Sequence, residues 1–537
     1  MPEMMTGGQA ITAALEALGV TCVFGVPSQQ NLALYEALSH SQTIRVVGAR
    51  NEAGAAHAAD GYARATGKLG VAITSTGPGT TNAVTGLYEA GFASSPVLLI
   101  TTQIDRVHLG RNRGFIHEAE GQLPMLQAVT RRAERPLHGH QLYDTILRMG
   151  RDIQSGRPQP GAIEVPTDML GEMTAVERTP FTKAPPHVPG ADAIAHVADL
   201  LNGASRPLLW LGGGCVRSGD AEAIRAFVDH FGAPVITTPN GRSALSTDHP
   251  LALGSAPHYP AFRALLDQAD VVLAVGTRFQ FVTSAYWTLP LGKNLIQIDV
   301  DGSMIGRNYP AAASLIGDAA ATLNALRQTL PQQQPDPQFL ALAQETRRAI
   351  DADSAQRAGP DHAQLCAIID EVLPHDRNIV CDATMVGNTW ATYRLPVRDF
   401  QGFTYSTSLA IGPALPLAIG AAVGSNRRTI AIHGDGGVML NIGEMATAVE
   451  TRAPLTLLVF NDHGYGILKT LQKQTGLTPF ACDLHTPDFV GIGRAMGMAA
   501  ERVTSPDEFR TAFERSVATE GPSLIEIDLT QIQALSL

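Results

Sequence analysis

Short apolar runs that end in a Gly, Asp or Asn turn and lead into a helical pattern recur along the whole chain. Val71–Ser75, Pro96–Thr101, Pro207–Leu211, Val271–Val275, Leu295–Val300, Thr429–His433, Leu455–Asn461 and Ser523–Leu529 read as strands, and Pro96–Thr101, Pro207–Leu211 and Val271–Val275 are apolar at almost every position. A strand of that kind is buried on both faces, which an antiparallel sheet with one wet face does not require. Val20–Phe24, Ile44–Val47, Pro234–Thr237 and Asn378–Asp382 read as further strands. Helical spacing lies between them. Gln9–Leu18 puts Ile11, Leu15 and Leu18 on one face with Gly19 as a cap, and Asn31–Leu38, Glu52–Ala65, Thr80–Ala93 and Asn441–Arg452 follow the same pattern. Gly77-Pro78-Gly79 reads as a turn. Strand–helix units with short loops predict an α/β chain of doubly wound parallel sheets, whose ligands sit at the carboxyl ends of the strands.

Two Pro-rich stretches without periodicity divide the chain, Thr179–Gly190 and Pro331–Pro337. They predict three α/β domains, at residues 1–178, 191–330 and 338–537. The chain's 537 residues suit that number. No sequence repeat relates the three parts.

Composition narrows the class. With 17% charged residues and a net charge of −11, the chain lacks the clustered cations that a nucleic acid or an anionic membrane would need. No apolar run reaches membrane-spanning length, and the N-terminus has no basic region leading into an apolar stretch. Cys22, Cys215, Cys366, Cys381 and Cys482 show no metal-ligand or redox spacing, as expected of reduced thiols in a cytoplasmic protein. The sparse surface charge hints at oligomerisation.

The most specific local pattern is His433-Gly434-Asp435-Gly436-Gly437 at the end of a strand. Glycines there let backbone amides approach a phosphate, and Asp435 offers oxygen to a hard divalent cation. The next strand ends in Asn461-Asp462-His463-Gly464-Tyr465-Gly466, and a strand–helix–strand unit would bring the two turns together. Asp435, Asp462 and the Gly464 carbonyl would then share one Mg²⁺ with a diphosphate; taken singly, each is an ordinary Gly/Asp turn.

These turns resemble the thiamine-diphosphate motif, which opens with Gly-Asp-Gly and closes with Asn-Asn. Phe24-Gly25-Val26-Pro27, Asn51-Glu52-Ala53-Gly54 with Ala59-Asp60-Gly61-Tyr62-Ala63-Arg64, and Thr76-Gly77-Pro78-Gly79-Thr80-Thr81-Asn82 resemble other segments of that family, in its order. The similarity runs the length of the chain and is to the acetolactate synthase, benzoylformate decarboxylase and pyruvate oxidase branch. It implies pyrimidine-binding, central and diphosphate-binding domains, and a homodimer or homotetramer with active sites at the subunit interface. The cofactor would lie against Pro27, Glu52, Gly77, Ile411, Gly434, Asp435, Gly436, Gly437, Asp462, Gly464, Tyr465 and Gly466. Glu52 would come from one chain and Asp435 with Asp462 from its partner.

In that family the glutamate activates the cofactor through the pyrimidine nitrogen. An enclosed Glu52 would have the raised pKa this needs, whereas an isolated one would be a helix-start glutamate favoured by the dipole. Ile411 is either the apolar wedge that bends the cofactor or core filling. Met385, Gly387 and Asn388 are candidates for the diphosphate pocket. The implied reaction takes a 2-oxo acid through decarboxylation to an enamine, then either to an aldehyde or, by carboligation, to a 2-hydroxy ketone.

Departures from the family pattern bear on the substrate. Asp462 stands where the family has a second Asn, and carboxylate remains a competent Mg²⁺ ligand. Ser28 replaces a Gly, and Gln29 either reaches the reacting carbonyl or finishes the loop. His117, within Phe115-Ile116-His117-Glu118, either relays protons and orients a carboxylate or is a structural hydrogen-bonder. Ser75 stands where benzoylformate decarboxylase keeps a histidine. Gln280-Phe281 replaces the Asp-Asp of FAD-bearing acetolactate synthases, which counts against FAD. The Gly114–Gln122 stretch is similar to that of decarboxylases of larger 2-oxo acids, 5-guanidino-2-oxopentanoate among them. Residues Ile467 to Thr486, with Leu468, Leu471 and Phe480, form either a lid suited to an apolar or medium-sized substrate or a helix packed on its own domain.

Two readings in other classes stand beside this one. One is a flavin- or nicotinamide-dependent oxidoreductase using Gly212-Gly213-Gly214, which lacks GxGxxG spacing. The other is a non-catalytic cofactor-binding protein, which would have no use for Glu52.

Overall fold

The computed structural model describes residues 2–291, 294–533 and 535. It contains three six-stranded sheets, every pairing within them parallel. The first runs, edge to edge, Arg45–Gly48, Cys22–Gly25, Gly70–Thr74, Val97–Gln103, Gly161–Pro166, Arg132–Glu134. The second is Ala252–Gly254, Val235–Thr237, Pro207–Leu211, Val271–Val275, Leu295–Asp299, Ala313–Ile316. The third is Phe403–Tyr405, Arg377–Cys381, Arg428–Gly434, Leu455–Asn461, Ser523–Asp528, Ala499–Val503. Counted in chain order within each sheet, the first and third share one strand order, 2-1-3-4-6-5. The relationship that the sequence does not display is thus plain in the topology.

Each sheet reverses direction beside its first strand, and the crevice at that switch point opens at the carboxyl ends. In the first sheet it lies between the loops after Gly25 and after Thr74. In the third it lies between Asp382 and Gly434. The strands are sheathed by helices on both faces, giving separate cores such as Leu98, Ile100 and Ile163 in the first part and Ile430, Ile432 and Leu458 in the third. A two-stranded antiparallel ribbon, Glu3–Thr6 with Met173–Val176, ties the start of the chain to the end of its first part. Residues 177–190 hold no helix or strand. The helix Pro337–Val372 starts inside the second Pro-rich stretch and is broken at Gly359, whose φ of 74° precedes Pro360.

The first and third parts meet through two helices, Glu52–Thr66 and Ala414–Ser425. Small residues let the backbones touch. A Cβ at Gly61 would overlap the Leu417 carbonyl, and one at Gly420 the Ala58 carbonyl. Some boundaries differ from expectation: Pro78 begins the helix Pro78–Ala93, so the turn is confined to Gly77 (φ 59°), and Asn441–Arg452 resolves into a 3₁₀ turn, Met439–Asn441, followed by a helix Glu444–Thr451. All five cysteines are free and buried. Among the described residues no helix is long and apolar enough to cross a membrane.

Candidate active site

Strands Arg428–Gly434 and Leu455–Asn461 pair in parallel with Gly434 opposite Phe460, so Asp435 and Asp462 emerge side by side. Asp435 is buried and opens a four-residue helix, Asp435–Val438; its Oδ2 has no hydrogen-bond partner. Burial and the neighbouring Asp462 carboxylate raise Asp435 to about 7, although backbone N–H groups of Gly436 and Gly464 pull the other way. Asp462 is raised as well, chiefly by burial. Two carboxyls held together with one oxygen unsatisfied form a donor set that a divalent cation would complete. No group of three or more His, Cys, Asp or Glu side chains with metal-binding geometry occurs among the described residues, so further ligands would have to come from backbone, water or phosphate.

A cavity of about 50 Å³ lies at this pair, lined by Thr384, Met385, Ile411, Gly434, Gly436, Gly437, Gly464, Tyr465 and Gly466 among others. Its glycines keep it open. A Cβ at Gly436 would come within 2.6 Å of the Tyr465 ring, and one at Gly466 would overlap the Asp462 carboxylate. The 463–465 turn is backed by residues 482–484: Tyr465 N–H donates to the Cys482 carbonyl at 2.8 Å and Leu484 N–H to that of His463 at 3.2 Å. The expected diphosphate residues therefore converge, with two exceptions. Gly387 and Asn388 lie off the cavity in a π-helical turn, Gly387–Ala391, where Asn388 accepts from the Tyr405 hydroxyl. Ile411, at 36% exposure, is not core filling.

Glu52 occupies the other candidate half-site. It is the first residue of its helix, capped by Asn51, whose Oδ1 accepts Ala53 N–H at 2.8 Å. Glu52 Oε2 accepts from Asn82 Nδ2 at 3.0 Å, and a Cβ at Gly79 would come within 2.8 Å of Ser75 Oγ and 2.9 Å of Glu52 Oε1. The carboxylate is half-buried, so its own chain does not enclose it. Pro27 and Gln29 are exposed on the neighbouring loop, where Ser28 N–H donates to Asn31 Oδ1 at 2.7 Å. Gln29 opens a 3₁₀ turn and its side chain makes no hydrogen bond among the described residues. His117 is exposed with φ 64°, and its carbonyl, not its ring, backs Gly77.

Three residues of these surroundings carry no sequence signal. Gln122 is buried; its Oε1 accepts Gly77 N–H at 2.7 Å while its Nε2 donates to Glu164 at 2.7 Å. Glu444 is buried, and burial pushes it up; its Oε1 accepts the N–H groups of Arg50 and Asn51, both at 3.0 Å. Glu89 holds the loop before Ile411. Each works across long sequence separation, so no local spacing betrays it.

Glu52 is not among the residues that line the Asp435 cavity. The Asp435 cavity is lined only by residues between 383 and 529. A second cavity, about 400 Å³, lies at the strand ends of the middle sheet, with Gly213, Gly276, Arg278, Gln280 and Asp299 in its wall. The helix Gly466–Gln474 buries none of its residues and Phe480 beyond it is 80% exposed, while Cys482 at the end of the segment is buried and holds it to the 463–465 turn.

Three family models match the chain in series: the N-terminal thiamine pyrophosphate binding domain over residues 5–125, the central domain over 194–326 and the C-terminal thiamine pyrophosphate binding domain over 382–527. The chain belongs to the thiamine pyrophosphate enzyme family. Glu52 falls in the first of the cofactor-binding domains and Asp435 with Asp462 in the second. Among curated relatives, a probable 2-ketoarginine decarboxylase of Pseudomonas aeruginosa is 34% identical over 98% of this chain and 94% of its own. A probable acetolactate synthase large subunit of Methanococcus aeolicus is 29% identical (99% and 93%), and the chloroplastic acetolactate synthase 1 of Nicotiana tabacum 30% (98% and 82%). Both cofactor-binding models are for thiamine pyrophosphate, which supports that cofactor for this chain.

Proposed function

We propose that this protein decarboxylates a 2-oxo acid with thiamine diphosphate and Mg²⁺, releasing an aldehyde. The observation that carries the reading is the pairing of buried Asp435, one oxygen unpartnered, with half-buried Asp462 at the glycine-lined cavity of a thiamine-binding domain. Mg²⁺ would be held by both carboxylates and the Gly464 carbonyl, and the diphosphate by the turn Gly434–Gly437. The bound cofactor supplies the nucleophile and the electron sink for loss of CO₂. Glu52 would hold a proton at the pyrimidine ring, with Asn82 fixing its orientation.

Because Glu52 does not line the Asp435 cavity of its own chain, each site would combine Glu52 of one copy with Asp435 of another, in a dimer or a pair of dimers. Apolar side chains left exposed beside both half-sites, Ile116 at 67% and Leu440 at 58%, support such a contact. The likeness to a 2-ketoarginine decarboxylase favours a 2-oxo acid with an extended side chain. Acetolactate synthases matched across nearly the whole chain favour a second reading, carboligation to a 2-hydroxy ketone.

The test is CO₂ release from a panel of 2-oxo acids, with and without thiamine diphosphate and Mg²⁺, products being identified by NMR. Cofactor-dependent CO₂ with free aldehyde is expected. A hydroxy ketone would establish the second reading, and CO₂ release indifferent to the cofactor would contradict both.

A further inference from the structure

The loop carrying Ile411 is gripped at both ends by buried carboxylates from distant parts of the chain. Glu89, fully buried on the helix Pro78–Ala93, accepts the backbone N–H of Thr407 at 2.7 Å and of Ser408 at 2.9 Å, together with the Ser408 hydroxyl. Asp382, fully buried just after the strand Arg377–Cys381, accepts Gly412 N–H at 2.8 Å on Oδ2 and 3.0 Å on Oδ1. Between the two grips lie only Leu409, Ala410 and Ile411.

The backbone there is unusual. Leu409 has φ 63° and Gly412 φ 102°, and a non-glycine residue in the left-handed region persists only where its surroundings over-determine it. Those surroundings are on hand. Ser406 Oγ donates to the Ala410 carbonyl at 2.7 Å, Asn441 Nδ2 to the Gly412 carbonyl at 2.9 Å and Arg64 to the Tyr405 carbonyl at 2.8 Å. Arg64 also pairs with Glu89 at 2.8 Å and with Asp60. Burial alone would raise Glu89, but Arg64 and the Ser408 donors outweigh it and hold the group below the usual carboxylate range. The base of the loop is therefore buried and held by many hydrogen bonds, while Leu409 and Ile411 stay partly exposed, Ile411 in the wall of the Asp435 cavity.

We propose that Glu89 and Asp382 are positioning residues for the cofactor, fixing the Thr407–Gly412 loop so that Ile411 is presented in one pose to bound thiamine diphosphate. This rests on the thiamine-dependent reading of the site. Glu89 acts at a distance through the loop, whereas Asp382, whose carboxylate also lies 3.0 Å from His433 Nδ1 and against Gly437, acts on the loop through Gly412.

The test compares full-length wild type with Ser408→Ala, Asp382→Asn and Glu89→Gln, each also combined with Ile411→Ala. Thiamine diphosphate affinity is measured calorimetrically in Mg²⁺, and amide hydrogen exchange of residues 407–412 in cofactor-free protein. Ser408→Ala removes one hydroxyl from a partly exposed position, so it decides the matter if the two carboxylate variants fail to fold. Loss of a charge-assisted hydrogen bond should weaken cofactor binding at least about fivefold and speed exchange in the loop. In the Ile411→Ala background the further weakening should disappear, because the two changes act through one contact. Unchanged affinity and exchange, or weakening that persists undiminished without Ile411, would overturn the proposal. Wild type that binds no thiamine diphosphate would instead contradict the thiamine-dependent reading, and loop exchange would still judge the grip.

Discussion

Glu444 Oε1 accepts the backbone N–H of Asn51 at 3.0 Å, so a carboxylate of the diphosphate-binding part caps the entry to the helix that begins with Glu52. It takes the Arg50 N–H as well, while Oε2 receives the Thr447 hydroxyl at 2.6 Å. The start of the helix bearing the proposed acid is thus held in part by the third sheet's domain. Glu444→Ala should leave two partly buried N–H groups without this acceptor and cost about 1–3 kcal/mol of stability, read by chemical denaturation. It should also lower turnover more than Glu450→Ala, a change at an exposed neighbour that forms an ion pair with Arg50.

The contact between the helices Glu52–Thr66 and Ala414–Ser425 admits no added methyl group. Gly420→Ala must push the two backbones apart and should destabilise the protein by about 3 kcal/mol or more, against the modest gain that alanine gives an exposed helix. A thermal midpoint equal to that of wild type would show that the helices are not so closely seated.

Asp435 and Asp462 predict a pH dependence of definite sign. In metal-free protein both carboxyls titrate above their unfolded range, Asp435 near 7, so the folded state binds the proton more tightly than the unfolded one. Stability from this pair should therefore be present below about pH 4 and decline as pH rises toward 7. Added Mg²⁺ should reverse the slope, because it replaces the proton. Denaturation midpoints from pH 5 to 8, with and without Mg²⁺, test both statements.

Asp462→Asn removes the repulsion and should bind thiamine diphosphate with Mg²⁺ at least as well as wild type, with activity retained. Asp435→Asn should lose Mg²⁺-dependent binding by a factor on the order of 100 or more. Equal losses in the two variants would contradict the unequal roles assigned to them.

Much of the fold is legible in the chain because buried parallel strands announce themselves. Pro207–Leu211, Val271–Val275 and Leu455–Asn461 appear where expected, since apolar residues on both faces leave them no other place. The strands that escape notice are mostly edges: Arg132–Glu134, Ala252–Gly254, Ala313–Ile316, Phe403–Tyr405 and Ala499–Val503. An edge strand is short or half-exposed and needs no apolar run. Gly161–Pro166 is interior yet was obscured by Glu164 in its middle, a charge tolerated because Arg135, Gln103 and Gln122 satisfy it. At the site, the glycine-and-aspartate turns are legible because close backbone approach permits few residues. Gln122, Glu89 and Glu444 are not, since a buried polar side chain has meaning only through partners that the fold supplies.

The account's central claim is a site shared between copies, and a mixture of two inactive variants tests it most directly. Glu52→Gln and Asp435→Asn chains are each expected to fold and to be nearly inactive alone. Unfolded together and refolded, or co-expressed with two tags and purified through both, they form hybrid dimers. One interface of each hybrid then combines an intact Glu52 with an intact Asp435, and the other combines both defects. Cofactor-dependent CO₂ release should return in the hybrid, with one working site out of two. A hybrid as inactive as its parents would contradict the claim and place Glu52 and Asp435 in the site of a single chain.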